Sequence, residues 1–168
     1  MKVFPTILST SPQEVFELIN ICNGVVDRIQ IDINDETFPG VKTIEPEVLN
    51  NLDTSIIIDY HLMVKDPINW VEKCIRAGGD RIIAQVEYME NQAEFVEKVQ
   101  AVGGQVGLAL DIDTPVSKID KTIINDLDVV LVMDYKAGEG GRVFDERVIG
   151  KIQELNEIRG NIKCYLNK

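Results

Sequence analysis

The chain has 168 residues, 45% apolar and 27% charged, with a formal net charge of −11 from 17 Lys+Arg against 28 Asp+Glu. That length suits one domain rather than two, the composition excludes a disordered or fibrous chain, and the acidic surface makes nucleic acid and membranes poor partners. Apolar runs fall short of the ~20 residues a membrane span needs, and the N-terminus has no basic segment leading into a long apolar one. Cys22, Cys74 and Cys164 are odd in number and sit in apolar runs, so they read as core residues of a reducing compartment, and a cytoplasmic location is expected.

Residues 3–8 form a short apolar run ending at Ser9. Ser11-Pro12-Gln13-Glu14 then supplies a helix N-cap, a proline at the first helical position and a capping-box glutamate. Val15, Leu18, Ile19 and Cys22 fall on one helical face, and Asn23-Gly24 closes that helix. The alternation repeats as a strand over 28–33, a helix over 46–52 and a strand over 55–63. A helix over 67–77 follows, capped by Asp66 and stopped by Gly78-Gly79. Next come a strand over 81–88, a helix over 92–102 ended by Gly103-Gly104, a strand over 105–112 and a helix over 115–125. A strand over 129–135, a helix over 145–159 and a last apolar run over 162–166 complete the pattern.

Strands separated by helices predict parallel pairing through right-handed crossovers. Continuous apolar runs such as Ile56-Ile57-Ile58 and Val129-Val130-Leu131-Val132 predict strands buried on both faces. An open doubly wound sheet and a closed (β/α) barrel both satisfy this pattern. The first helix does not open on G-x-G-x-x-G, which counts against a dinucleotide-binding open sheet. Polar residues gather instead at strand ends: Ser9, Asp32, Asn34, Asp35, His61, Glu87, Asp111, Asp113, Asp134 and Asn167. Functional groups at the C-terminal ends of many strands are the layout of a barrel's active face. Taken singly, Asp32 reads as a solvated carboxylate, His61 as a satisfied core histidine, Gly138, Gly140 and Gly141 as a flexible connection, and Trp70, Met63 and Met133 as core.

Four segments, in order and at predicted strand ends, change that weighing. They are Pro5-Thr6-Ile7-Leu8-Ser9, Gln30-Ile31-Asp32-Ile33-Asn34-Asp35, His61-Leu62-Met63, and Met133 through Gly138-Glu139-Gly140-Gly141 to Phe144. Together they resemble the ribulose-phosphate 3-epimerase family, with Gly107 to Pro115 adding support. The resemblance implies a (β/α) TIM-type barrel of the ribulose-phosphate-binding kind. It also implies an isomerase that inverts the carbon next to the ketone, interconverting D-ribulose 5-phosphate and D-xylulose 5-phosphate. Such chemistry needs a proton carrier on each face of a flat intermediate and stabilisation of the enediolate, for which the family uses a divalent metal such as zinc, iron or manganese.

By this resemblance Asp32 is a catalytic acid/base and, with His61, a metal ligand. Thr6, Ser9, His61, Met133, Gly138, Glu139, Gly140 and Gly141 are implied to bind substrate. A sugar phosphate remains compatible with the acidic surface, because backbone N–H groups hold phosphate locally. The departures are specific. Gln30 stands where the family has histidine and Asn167 falls roughly where it has the second aspartate, while Thr6 replaces serine, Gln85 replaces histidine and Lys136-Ala137 replaces Asn-Pro. A carboxamide cannot exchange a proton at neutral pH and is a poor ligand for these metals, so the metal is expected to be weakly bound or absent and the isomerase impaired. Two alternatives stand beside that reading: a catalytically degenerate barrel that binds a sugar phosphate or a protein partner, and an epimerase of a related keto-sugar. A complete eight-stranded barrel takes at least ~200 residues. Residues 1–168 are therefore expected to form a single barrel domain missing the last strand and final helices, either as a fragment or as a short form whose open edges favour a homo-oligomer.

Overall fold

The computed structural model describes residues 3–134, 136–137 and 144–167, and only the backbone of Asn167. Within them the strands are β1 (Thr6–Ile7), β2 (Arg28–Asn34), β3 (Ile57–Met63), β4 (Gly79–Gln85), β5 (Gln105–Leu110), β6 (Val129–Met133) and β7 (Lys163–Asn167). They form one parallel sheet in sequence order, crossed by the helices α1 (Pro12–Cys22), α2 (Val71–Arg76), α3 (Gln92–Ala101) and α4 (Arg147–Ile158). The sheet is curled: the Phe4 ring, just ahead of β1, lies 5.6 Å from the Tyr165 ring of β7, centroid to centroid. It is an incomplete barrel whose two end strands approach through aromatic side chains.

Helix starts follow their caps. Ser11 Oγ accepts from the Glu14 N–H at 3.4 Å, and Asn91 Oδ1 does the same for Glu94 at 3.0 Å; each satisfies an amide that has no partner within the helix. The capping box closes differently from the sequence reading. The Glu14 carboxylate accepts from the Ser9 hydroxyl, and Ser9 Oγ accepts from the Ser11 N–H at 3.0 Å.

Two expected helices do not form. Residues 46–52 make one 3₁₀ turn, Pro46–Leu49, because the chain turns away at Asn51, which takes a left-handed φ of 68°. Residues 115–125 make two, Val116–Lys118 and Ile124–Asp126, separated where Asp120 Oδ1 accepts from the Thr122 N–H at 2.8 Å and so offers the backbone a local alternative to the helix. The segment 67–77 opens as a 3₁₀ turn, Pro67–Trp70, before α2, and Asp66 precedes it at φ 53° with no capping hydrogen bond from its side chain. Segments this short do not recover the cost of nucleating a helix unless packing holds them.

Alternation along each strand sorts side chains into two layers. One parity, including Ile31, Leu62, Ile82, Leu108 and Val130, joins the helices in the larger core cluster. The other parity faces the barrel interior, where Met63, Ile83, Ala109, Val129, Leu131 and Met133 pack with Phe38, Ala137 and Tyr165. Gly107 sits in this interior because a Cβ there would come within 2.6 Å of Val129 Cγ1 and 3.0 Å of Ile83 Cγ1.

Toward the N-terminal ends of β2 to β5 the interior is ionic. Asp59 binds Arg28 and, at 3.1 Å, Arg81. Arg28 also reaches Asp80 at 2.8 Å, and Arg81 Nη2 donates to Gln105 at 2.7 Å while its guanidinium lies 5.3 Å from the Tyr165 ring centre. Burial pushes the Asp59 carboxyl up even beside its two arginines. All three cysteines are free, and burial raises the thiols of Cys74 and Cys164, as suits core residues.

Candidate active site

The site occupies the C-terminal ends of β2 to β5, where interior-facing positions become polar. Asp32 and His61 are partners in the β2–β3 register, which sets an imidazole beside a carboxylate. His61 Nδ1 lies 3.1 Å from Asp32 Oδ1, and Gln30, two residues back on the same face, donates its amide N–H to that oxygen at 2.8 Å. All three side chains are buried, His61 completely.

On the other side of the ring stands Gln85 at the end of β4. Both ends of its amide are satisfied when the oxygen accepts from His61 Nε2 at 3.1 Å and the nitrogen donates to Glu87 Oε2 at 2.7 Å and to the Ala109 carbonyl at 3.2 Å. Glu87 Oε1 in turn accepts from the Asp111 N–H at 2.9 Å. Asp32, His61, Gln85, Glu87 and the backbone of Asp111 are thus one hydrogen-bonded row crossing four strands. The two ring nitrogens of His61 thus face different partners, Nε2 the Gln85 amide and Nδ1 the Asp32 carboxylate.

Asp111 follows β5 on the interior parity. Its Oδ1 accepts from the Ala137 N–H at 2.7 Å, and its carboxyl is pushed up to about 6, first by burial and then by the neighbouring Glu87. Lys151 of α4 donates to the carbonyls of Asp111 and Thr114, which ties the turn after β5 to the helix. The connection after β2 is held by its own side chains. Asn34 accepts from the Glu36 N–H and donates to the Pro39 carbonyl, Asp35 accepts from the Thr37 and Lys65 N–H groups, and the bend brings Phe38 inside the barrel, edge-on to Tyr88 at 4.8 Å.

The expected site residues fall out unequally. Asp32, His61 and Gln30 come together. Met133 lies in the interior cluster with Met63 and Phe38. Ser9 is buried and its hydroxyl holds the start of α1. Thr6 pairs in register with Gln30 but is exposed on the edge strand. Asn167 pairs in register with Met133, while Tyr165, two residues earlier, turns its ring into the interior. Gly138, Glu139, Gly140 and Gly141 lie outside the described residues. Asp134 is buried, whereas Asp113 is exposed and paired with Arg147 at 3.0 Å. The row through Gln85 and Glu87 to Asp111, and the Phe38–Tyr88 pair, were not anticipated; interior parity at the ends of the fourth and fifth strands was the available signal.

The residues present do not fit a divalent metal. Among the described residues no three His, Cys, Asp or Glu side chains converge as a ligand set. Asp32 Oδ1 is already taken by Gln30, and both His61 nitrogens face partners. A carboxamide in place of a third strong donor leaves zinc or iron short of its usual coordination.

Comparison with known proteins gives the lineage. Residues 2–166 match the model of the ribulose-phosphate 3 epimerase family. The ribulose-phosphate 3-epimerase of Bacillus subtilis (strain 168) is 30% identical over 161 residues, covering 94% of this chain and 74% of that protein. The ribulose-phosphate 3-epimerase of Chlamydia trachomatis serovar D is 33% identical over 143 residues, 84% of this chain and 61% of that one. The chloroplastic ribulose-5-phosphate-3-epimerase of Arabidopsis thaliana is 30% identical over 161 residues, 93% of this chain and 57% of its own length. The chain therefore spans between 57% and 74% of these relatives. In fold it resembles phosphoribosyl anthranilate isomerase from Thermus thermophilus, with a TM-score of 0.59 at 10% identity over 99% of this chain and 86% of that one. A match along almost the whole sequence, on a parallel barrel sheet of the expected strand order, leads to one conclusion: the chain belongs to the ribulose-phosphate 3-epimerase family.

Proposed function

We propose that the protein is an isomerase of the ribulose-phosphate 3-epimerase type, acting on D-ribulose 5-phosphate by proton transfer at the carbon next to the ketone. The observation that carries this reading is Asp32, a buried carboxylate at the end of β2 fixed by Gln30 at 2.8 Å and His61 at 3.1 Å. A general base must be held in one orientation to meet a C–H bond, and these two contacts do so. Asp32 takes the proton, while Gln30 and His61 hold its Oδ1. The ligand arrangement carries no metal-dependent step, so turnover is expected to be slow. Residues 1–168 are read as one barrel domain of a cytoplasmic, self-associating protein.

A coupled assay for D-xylulose 5-phosphate with the full-length protein, run with and without zinc, iron or manganese, tests the reading. Turnover above buffer that vanishes in Asp32→Asn is expected; no turnover under any condition would refute it. A second reading, sugar-phosphate binding without catalysis, is favoured by Gln30 occupying the Asp32 oxygen. Calorimetric binding of D-ribulose 5-phosphate to a protein with no turnover would select it.

A further inference from the structure

We propose that Asp111 is the second catalytic proton carrier of this site, acting on the face of the substrate opposite Asp32. The inference rests on the isomerase reading above and adds the group that reading lacks. Inversion needs a proton taken from one face and another delivered to the other. Tyr165 of β7 packs on the interior cluster, and β7 contains neither Asp nor Glu, so that strand offers no carboxylate to the interior.

Two carboxylates on the interior parity beyond β4 and β5 remain, and geometry separates them. Glu87 has both oxygens engaged, Oε1 by the Asp111 N–H and Oε2 by the Gln85 amide. Asp111 uses only Oδ1, for the Ala137 N–H, among the described residues, which leaves Oδ2 for a ligand. Asp111 is half-buried rather than sealed. It follows β5, three strands along the curled sheet from the strand that carries Asp32. The row through His61, Gln85 and Glu87 joins Asp32 to the Asp111 backbone across those strands. Burial and the adjacent Glu87 hold a fraction of Asp111 protonated near neutral pH, which a proton donor requires.

The step balances. Asp32 as carboxylate takes the proton from the carbon beside the ketone, and the C–H electron pair moves into the new C=C bond as the carbonyl oxygen becomes the enediolate oxygen. Asp111 as carboxylic acid then gives its proton to the same carbon from the other side, and the enediolate electrons form that C–H bond while the ketone returns. Asp32 leaves protonated and Asp111 ionised, and exchange with water resets both. The reverse reaction uses the same groups with roles exchanged.

The test is Asp111→Asn in the full-length protein, with D-ribulose 5-phosphate in deuterated water followed by proton NMR. Asparagine keeps an oxygen for the Ala137 N–H and removes only proton exchange. Inversion is expected to fall about 100-fold or more, while deuterium still enters the substrate at the carbon beside the ketone from the Asp32 side. In Glu87→Gln, losing the like charge should move the alkaline limb of the wild-type pH–rate profile to lower pH, a shift that a merely structural role for Asp111 would not produce. Inversion retained within a few-fold in Asp111→Asn overturns the inference and leaves the isomerase reading standing. A wild-type protein that neither inverts nor exchanges overturns both.

Discussion

Replacing Asp59 by asparagine tests the ionic layer inside the barrel. The carboxylate is 4% exposed and binds Arg81, itself 3% exposed, at 3.1 Å, as well as Arg28. Arg28 keeps Asp80 after the change, but Arg81 loses its countercharge and keeps neutral partners: the amide oxygen at position 59, the Gln105 oxygen and the Tyr165 ring. Removing one partner of a buried pair costs about 3–5 kcal/mol because the other charge stays buried without compensation. For a domain of this size that corresponds to a fall in Tm of roughly 6–20 °C. The carboxyl is pushed up by burial in spite of two arginines, so desolvation outweighs attraction and the network contributes little net stability. The double variant Asp59→Leu with Arg81→Met should therefore recover most of the loss. Urea unfolding with a fixed m-value measures all three proteins. A loss below about 1 kcal/mol in Asp59→Asn, or a double variant as unstable as the single one, would contradict this account of the layer.

Three other outcomes are expected. Gly107→Ala places a methyl 2.6 Å from Val129 Cγ1 and should lower stability by about 1–3 kcal/mol in denaturant unfolding, as overpacking does; no loss would mean that β5 and β6 move apart easily. Asp111 has a folded-state value raised to about 6; the stability linked to it is fully present below the ordinary carboxylate range and is lost as pH rises through about 6. Asp111→Asn should thus match wild type in Tm at pH 4 and exceed it at pH 8, and a difference independent of pH would refute that reading. Gln30→His should raise zinc affinity in calorimetry by placing an imidazole beside Asp32 and His61; unchanged affinity would mean that these three side chains cannot rearrange around an ion.

Much of the strand pattern was legible because β2, β3 and β6 are apolar or paired on both parities, a requirement of parallel strands covered on two sides. The first helix was legible because Ser11 and Pro12 mark its start by local chemistry. The segments over 46–52 and 115–125 carried proline and apolar spacing too, yet remain short 3₁₀ turns, since Asn51 turns the chain through a left-handed φ and the Asp120 side chain satisfies the backbone locally. Asp32 and His61 could be placed at strand ends, but not in contact, by spacing alone.

The sequence by itself determined the alternation of strands and helices and the place of Asp32 and His61 at strand ends, because these depend on local periodicity, while Gln30 and Asn167 stood out as weak ligands only against the pattern of the family the sequence resembles. Only the tertiary structure decided that Ser9 serves the α1 cap, that both His61 nitrogens are engaged, and that Glu87 and Asp111 join the row from β4 and β5. Those contacts depend on strand register and on the tilt that curling imposes. The cross-strand partners in the row are 24 to 29 residues apart in sequence, and no local pattern encodes which side chains such a sheet brings within about 3 Å of one another.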